Sequence, residues 1–469
     1  MIISPGIGSG LDVNSLVTQL VAAEGAPAAF RLDTQEVGVQ AELSAYGTLR
    51  SALDAFRTTL ERFSDLETFQ GRTAISGNEE LFTVSATKDA NPGSYDVEVE
   101  QLATGQKLTS AAYADSDETT VGSGILTFTN GVTAEPPATD PRFSVRIDKE
   151  ESTLEDIRDA INNADDNFGV SASIVNGDDG ARLVITTTDT GEEAALTITA
   201  SDDDGALAGF VYDVDGGTTN LTESVAAQNA RVQIDGFLVT SDNNTITGAI
   251  EGVTLNLLKA EVGETASLDI SFDRDGGAKA VRDFVDAYNE VVNTMSALSS
   301  FDAENNIGGT LLGDSTLRGL SSSLSREIGT PTSGTDSDFS FLSELGISTQ
   351  FDGTLEIDGE VLNERLAEDF NAVGRLFATE GGYAERLDAV LGLYIDEGGQ
   401  LDNRTEGLQS QIEDIEQQRE DLDRRLQSVE ARLRAQFNAL DSLVASLNST
   451  SNFLTSQLAS IPTPSSGNQ

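Results

Sequence analysis

The chain contains no cysteine, no histidine and no tryptophan. Without Cys there is no disulfide framework and no thiol chemistry. Without His or Cys, the usual zinc sites and the Ser-His and Cys-His nucleophiles are largely excluded. Lysine is scarce: Lys88, Lys107, Lys149, Lys259 and Lys279 are five of 28 basic residues. No stretch approaches the roughly 18 apolar residues of a membrane span. The opening residues, MIISPGIGSGLD, lack a basic n-region and a long apolar h-region, so no cleavable secretory signal is read there. Cytosol, or export by a machine that needs no such signal, remain open.

What is abundant is acid. The 469 residues hold 79 Asp and Glu, for a net charge of −51. The excess is uneven. Residues 1–75 carry 9 acids and 5 bases, and residues 401–469 carry 10 and 6, so each end is −4. Residues 76–275 carry 38 and 10, net −28, and residues 276–400 carry 22 and 7, net −15. Like copies can pack through the near-neutral ends, whereas the middle repels itself. The same field argues against nucleic acid and against an anionic membrane surface. High acid with little Lys points to a salty setting, where screening is short-ranged; an ordinary acidic secreted protein is the alternative.

Periodicity separates the ends from the middle. From residue 400 onward apolar residues keep one heptad frame: Leu408, Ile412, Ile415, Leu422, Leu426, Val429, Leu433, Leu440, Leu443, Leu447, Leu454 and Ile461. Arg419, Gln436, Thr450 and Gln457 fill the remaining a/d slots. One helix cannot bury that seam alone. Its span is about 80 Å at 1.5 Å per residue, long for a single domain. Near the other terminus, Asp12 or Asn14 is placed to cap a first helix carrying Leu16, Val17 and Leu20, with Leu11 just before it. Gly25 and Pro27 are expected to interrupt that helix. A long second helix is expected over 28–66, and its stripe Val39, Leu43, Tyr46, Leu49, Leu53, Phe56, Leu60 and Phe63 is a candidate partner for the C-terminal seam.

Between these ends the period changes to alternation. Phe82-Val84-Ala86, a turn at Asn91-Pro92-Gly93 and Tyr95-Val97-Val99 read as a hairpin. Further strands are expected at 125–127, 143–147, 170–174, 183–187, 230–234, 238–240, 253–257 and 266–271, with one helix opened by Ser152-Thr153. Helices return at 277, 315–328, 358–377 and 383–395. About three or four domains suit the length. The fold class expected is multidomain α+β. A helical coiled-coil leg (1–42 with 401–469) and a helical bundle (43–73 with 276–400) are made by both termini. Two β-rich head domains are inserted, an inner one (74–111 with 223–275) and an outer one (112–222).

Catalytic signals are weak. With so many acids, some pair satisfies glycosidase spacing by chance. Gly6-x-Gly8-x-Gly10 has its third Gly one position early for a dinucleotide loop and follows no strand. The loops beginning Asp202 and Asp213 lack the Gly and Glu positions of an EF-hand. No catalytic residue, metal site or cofactor is expected.

Several segments together resemble one family, the bacterial flagellar filament cap proteins (FliD, hook-associated protein 2). They are GIGSGLDVNSLVTQLVAAE (6–24), ARVQIDGFLVTSDNNTITGAIEGVTLNLL (230–258), VRDFVDAYNEVV (281–292), LLGDSTLRGL (311–320), LGISTQFDGTLEID (345–358) and NSTSNFLTSQL (448–458). Residues 143–191 resemble a module that sister filament proteins also carry. The resemblance implies a ring of five or six copies at the filament tip, legs toward the filament and head plate outward. It implies that exported flagellin is kept from escaping and helped to polymerise. Implied partners are flagellin, hook–filament junction proteins and a cytoplasmic export chaperone, with no nucleic acid and no membrane. Implied too are an extracellular location reached through the flagellar export channel and, in some members, cell adhesion. The alternatives are a flagellin or hook–filament junction subunit and a free-standing secreted adhesin.

Overall fold

The computed structural model describes residues 12–63, 66–131, 142–150, 152–202, 205–333 and 337–459. It divides into two units, one built from both ends of the chain (1–68 with 278–469) and one from residues 69–277. The protein is a multidomain α+β chain with long terminal helices and β-rich domains.

Helix α1 runs unbroken over Val13–Glu61, opened by Asp12, whose carboxylate accepts the Ser15 N–H. The expected break at Gly25 and Pro27 is absent. Pro27 forgoes one backbone hydrogen bond, a cost of about 3 kcal/mol in a free helix. Buried positions on either side, Val17 and Gly25 before it and Leu32 after it, keep the helix whole. Tertiary packing here overrides local propensity.

In the 69–277 unit, two sheets share an inner core. Strands Arg72–Ser76, Thr265–Phe272, Gly93–Gln101, Ala230–Ile234 and Phe237–Ser241 lie side by side in that order, all antiparallel. Thr245–Thr247, Val253–Leu257 and Phe82–Ala86 make a three-stranded sheet. Alternating residues Val97, Val99, Val232, Leu255 and Leu268 fill the space within. The tight turn after Ile234 requires positive φ at both Asp235 (49°) and Gly236 (80°), the twist that suits a two-residue hairpin. A second core lies among residues 107–225. Strands Thr218–Thr219, Tyr212–Asp213, Leu196–Asp202, Gly124–Asn130 and Arg142–Ile147 form one sheet, and Thr222–Val225, Lys107–Thr109, Gly180–Thr187 and Val170–Gly177 another. Helix α2 (Leu154–Asn162), started by a Thr153–Asp156 capping box, contributes Leu154, Ile157 and Ile161 to that core. Phe128 and Phe143 stack there at 4.7 Å.

Helix α3 (Arg274–Ser299) leads back to the helical unit. There it meets α4 (Ser315–Gly329), α5 (Gly359–Glu368), α6 (Phe370–Ala378), α7 (Tyr383–Ile395) and α8 (Gln400–Ala459). The single helix expected over 358–377 is two. Asp369 leaves helical geometry at φ −149° and caps α6 by accepting the Ala372 N–H. The core of the bundle is aromatic: Phe284 and Phe377 meet edge-on at 5.2 Å, and Phe56, Phe63 and Tyr288 surround them.

Candidate assembly surface

The long helices α1 and α8 run antiparallel. Arg404 pairs with Glu42 (3.2 Å), Arg419 with Asp33 and Glu36 (both 2.5 Å), Arg425 with Glu24 (3.7 Å), and the Arg434 guanidinium donates to the Asn14 side chain (2.6 Å). As the α8 number rises from 404 to 434, its partner on α1 falls from 42 to 14, so the two helices keep step along the whole contact. Cations on α8 meet anions on α1, which fixes both direction and register. Each exposed pair contributes only about 0–1 kcal/mol, so the pairs select the alignment more than they stabilise it. Arg419 stands in an a/d slot and reaches two carboxylates. A polar residue at one seam position is a known way to set register.

Apolar contact supplies the adhesion. Within the paired stretch Leu408, Ile415 and Val429 are buried, and Ile412, Leu422, Leu426 and Leu433 are half-buried. On α1, Val13, Val17 and Leu32 are buried. Gly25 is where the helices come closest, since a Cβ there would sit 2.7 Å from Leu426 Cδ1. Val13 and Leu32 escaped the sequence reading because the expected interruption at 25–27 hid the continuity of their stripe.

The candidate stripe from Val39 to Phe63 divides. Tyr46, Leu49, Leu53, Phe56, Leu60 and Phe63 are buried, and the last part faces the bundle: Phe56 touches Phe284 and Tyr288, and Phe63 touches Phe377. The C-terminal seam therefore pairs mainly with the first half of α1. Tyr46 marks the changeover. Its hydroxyl donates to Asp314 at 2.7 Å, while Arg404 lies over its ring. Burial, then the Asp314 hydrogen bond, raise the Tyr46 hydroxyl above its ordinary pKa. Burial also pushes the Asp314 carboxyl upward, but donation from the Leu317 N–H, the Tyr46 hydroxyl and the Thr316 N–H outweighs it, and its pKa is lowered. Asp314 thereby caps α4 and ties α1 to the bundle.

Beyond Arg434 the seam loses its cover. Leu440, Leu443, Leu447 and Leu454 are 46–60% exposed. On α1, Leu16 and Leu20 are exposed while Val17 is fully buried. Leu11 and Ile461 lie outside the described residues. The heptad a/d slots do not change at this point, but their flanks do. In the paired stretch the e positions are Glu416, Asp423 and Glu430; beyond it they are Phe437, Val444, Ser451 and Leu458. That change of flank is the sequence signal that marks where α1 ends. Among the described residues no group of three acids is arranged to hold a metal ion, and no helix is long and apolar enough to cross a membrane.

Two terminal helices locked together around a β-rich insertion, one part of which (126–189) matches the flagellin hook IN motif, define a protein of the bacterial flagellum's axial type. Family models of the flagellar hook-associated protein 2 N-terminus and C-terminus match residues 9–106 and 227–449. The chain belongs to the flagellar hook-associated protein 2 family. It is 36% identical to the A-type flagellar hook-associated protein 2 of Pseudomonas aeruginosa, over 97% of both chains. It is 34% identical to the flagellar hook-associated protein 2 of Escherichia coli K12, again over 97% of each. Among solved structures, the D1-D2-D3 domains of the flagellar cap protein FliD from Escherichia coli match at 32% identity with a TM-score of 0.63, covering 78% of this chain and 99% of that one.

Proposed function

We propose that the chain is a structural cap at the distal end of the bacterial flagellar filament. It holds exported flagellin against loss and promotes its polymerisation as the filament elongates. The observation that carries this reading is the likeness, along nearly the whole chain, to hook-associated protein 2 relatives and to a flagellar cap protein structure. Helical residues 1–42 with 401–469 serve as the leg and 43–73 with 276–400 as the bundle above it. Residues 74–111 with 223–275 and residues 112–222 serve as inner and outer head. Five or six copies close into a ring, with the coiled-coil seam as the assembly element. Flagellin, hook–filament junction proteins and, before export, a cytoplasmic chaperone are its partners. It works outside the cell, at the filament tip, without catalysis or a cofactor, and the head is the part available for adhesion. The match to both terminal family models favours this over a flagellin, a junction subunit or a free adhesin. A strain lacking the chain should release unpolymerised flagellin into the medium and carry short or absent filaments, with recovery on reintroduction. Filaments of normal length in that strain would overturn the proposal.

A further inference from the structure

Residues 408–434 of α8 carry seven acids and five bases, whereas residues 435–459 carry one charge, Asp441. The exposed leucines of the second segment cover about 27 Å from 440 to 458 at 1.5 Å per residue. Their flanks widen the apolar face: Val444 and Leu458 at e and Phe453 at g join the a/d leucines, and Phe453 and Leu458 are 61% and 68% exposed. A face broader than a strict a/d seam suits a helix with more than one neighbour.

Symmetry selects the occupant. Copies in a closed ring are related by rotation about one axis, so helices along that axis run parallel and like residues meet at one level. Every charge at such an interface faces its own kind. The paired stretch, with Glu416, Asp423 and Glu430 on one flank, is unsuited to meeting itself. The segment after Arg434 is suited to it, because it has almost nothing to repel. On a chain of net −51, few surfaces share that property.

We infer that residues 435–459 are the segment through which copies of this chain join, packing as a parallel, in-register bundle about the ring axis. The inference rests on the ring reading and adds which residues close it. The cysteine-free chain makes the test clean. In the full chain, pyrene on L447C should show excimer emission in the assembled state, because like positions lie side by side. Pyrene on Q427C, at an exposed position in the paired stretch, should not. The double substitution L443S/L447S should weaken association by more than about 100-fold and leave thermal unfolding unchanged, since both leucines are exposed. Rings that form equally well in the double variant, without excimer at 447, would leave the ring standing and overturn this inference, assigning the stripe to a different macromolecule. A wild-type chain that stays monomeric at every concentration and salt level would overturn the ring itself, and the inference with it.

Discussion

The two parts of helix α8 share one heptad and behave differently. Up to Arg434 its seam is covered by α1, flanked by charges that find opposite charges on that helix. After Arg434 the leucines continue in the same slots, but they are exposed and the flanking charges disappear. Flanking charge tells a seam which partner to take: mixed charge specifies a complementary helix, and its absence permits an identical one. The first part stabilises the subunit, and the second is left for assembly.

That contrast breaks most visibly at single leucines. Leu408→Asp should destabilise the folded monomer by about 4 kcal/mol or more, because a buried apolar contact is lost and a carboxylate is stranded. Leu447→Asp should leave the monomer's thermal unfolding unchanged and abolish association instead. Circular dichroism melts paired with sedimentation velocity would separate the two, and equal effects on melting would erase the distinction.

A smaller effect is expected at the point of closest approach. Gly25→Val should cost about 1–3 kcal/mol through overpacking against Leu426, with no comparable loss from Gly38→Val, where a Cβ meets open space. At the junction with the bundle, Asp314→Ala removes a helix cap and should cost about 1–2 kcal/mol at neutral pH. The sign with pH follows from its lowered pKa. The wild-type contribution is present above the ordinary carboxylate range, near pH 4, and is lost as pH falls below it. The difference between wild type and variant should therefore shrink in acid; a difference that grows in acid would refute the assignment. The smallest effect belongs to Arg419→Leu, within about 1 kcal/mol in either direction, because exposed ion pairs align the helices more than they hold them together.

Much of this was legible in the sequence. The a/d leucines of α8 gave the long helix, alternation gave the β-rich middle, and Thr153 with Asp156 gave the start of α2. What was not legible depended on distant contacts. Gly25 and Pro27 look like a break locally, and only the facing Leu426 explains why Gly is there and why the helix persists. Asp369 looks like one more polar residue in a helical run until its carboxylate is seen capping α6. The a/d slots alone could not show that Leu433 is covered and Leu440 is not, because cover depends on where α1 begins.

The account's central claim is that near-neutral helical ends join copies while the acidic middle, −28 over residues 76–275, holds them apart. Raising salt from about 0.1 M to about 1 M shortens the screening length from about 10 Å to about 3 Å. Repulsion between neighbouring heads should fade, while apolar contacts persist or strengthen. Sedimentation velocity of the full chain across a sodium chloride series measures this directly. The account predicts mostly monomer in dilute buffer, shifting to a closed oligomer of about five or six copies as salt rises. Oligomers that fall apart as salt rises would show that complementary charge, not screened repulsion, governs assembly, and would contradict it.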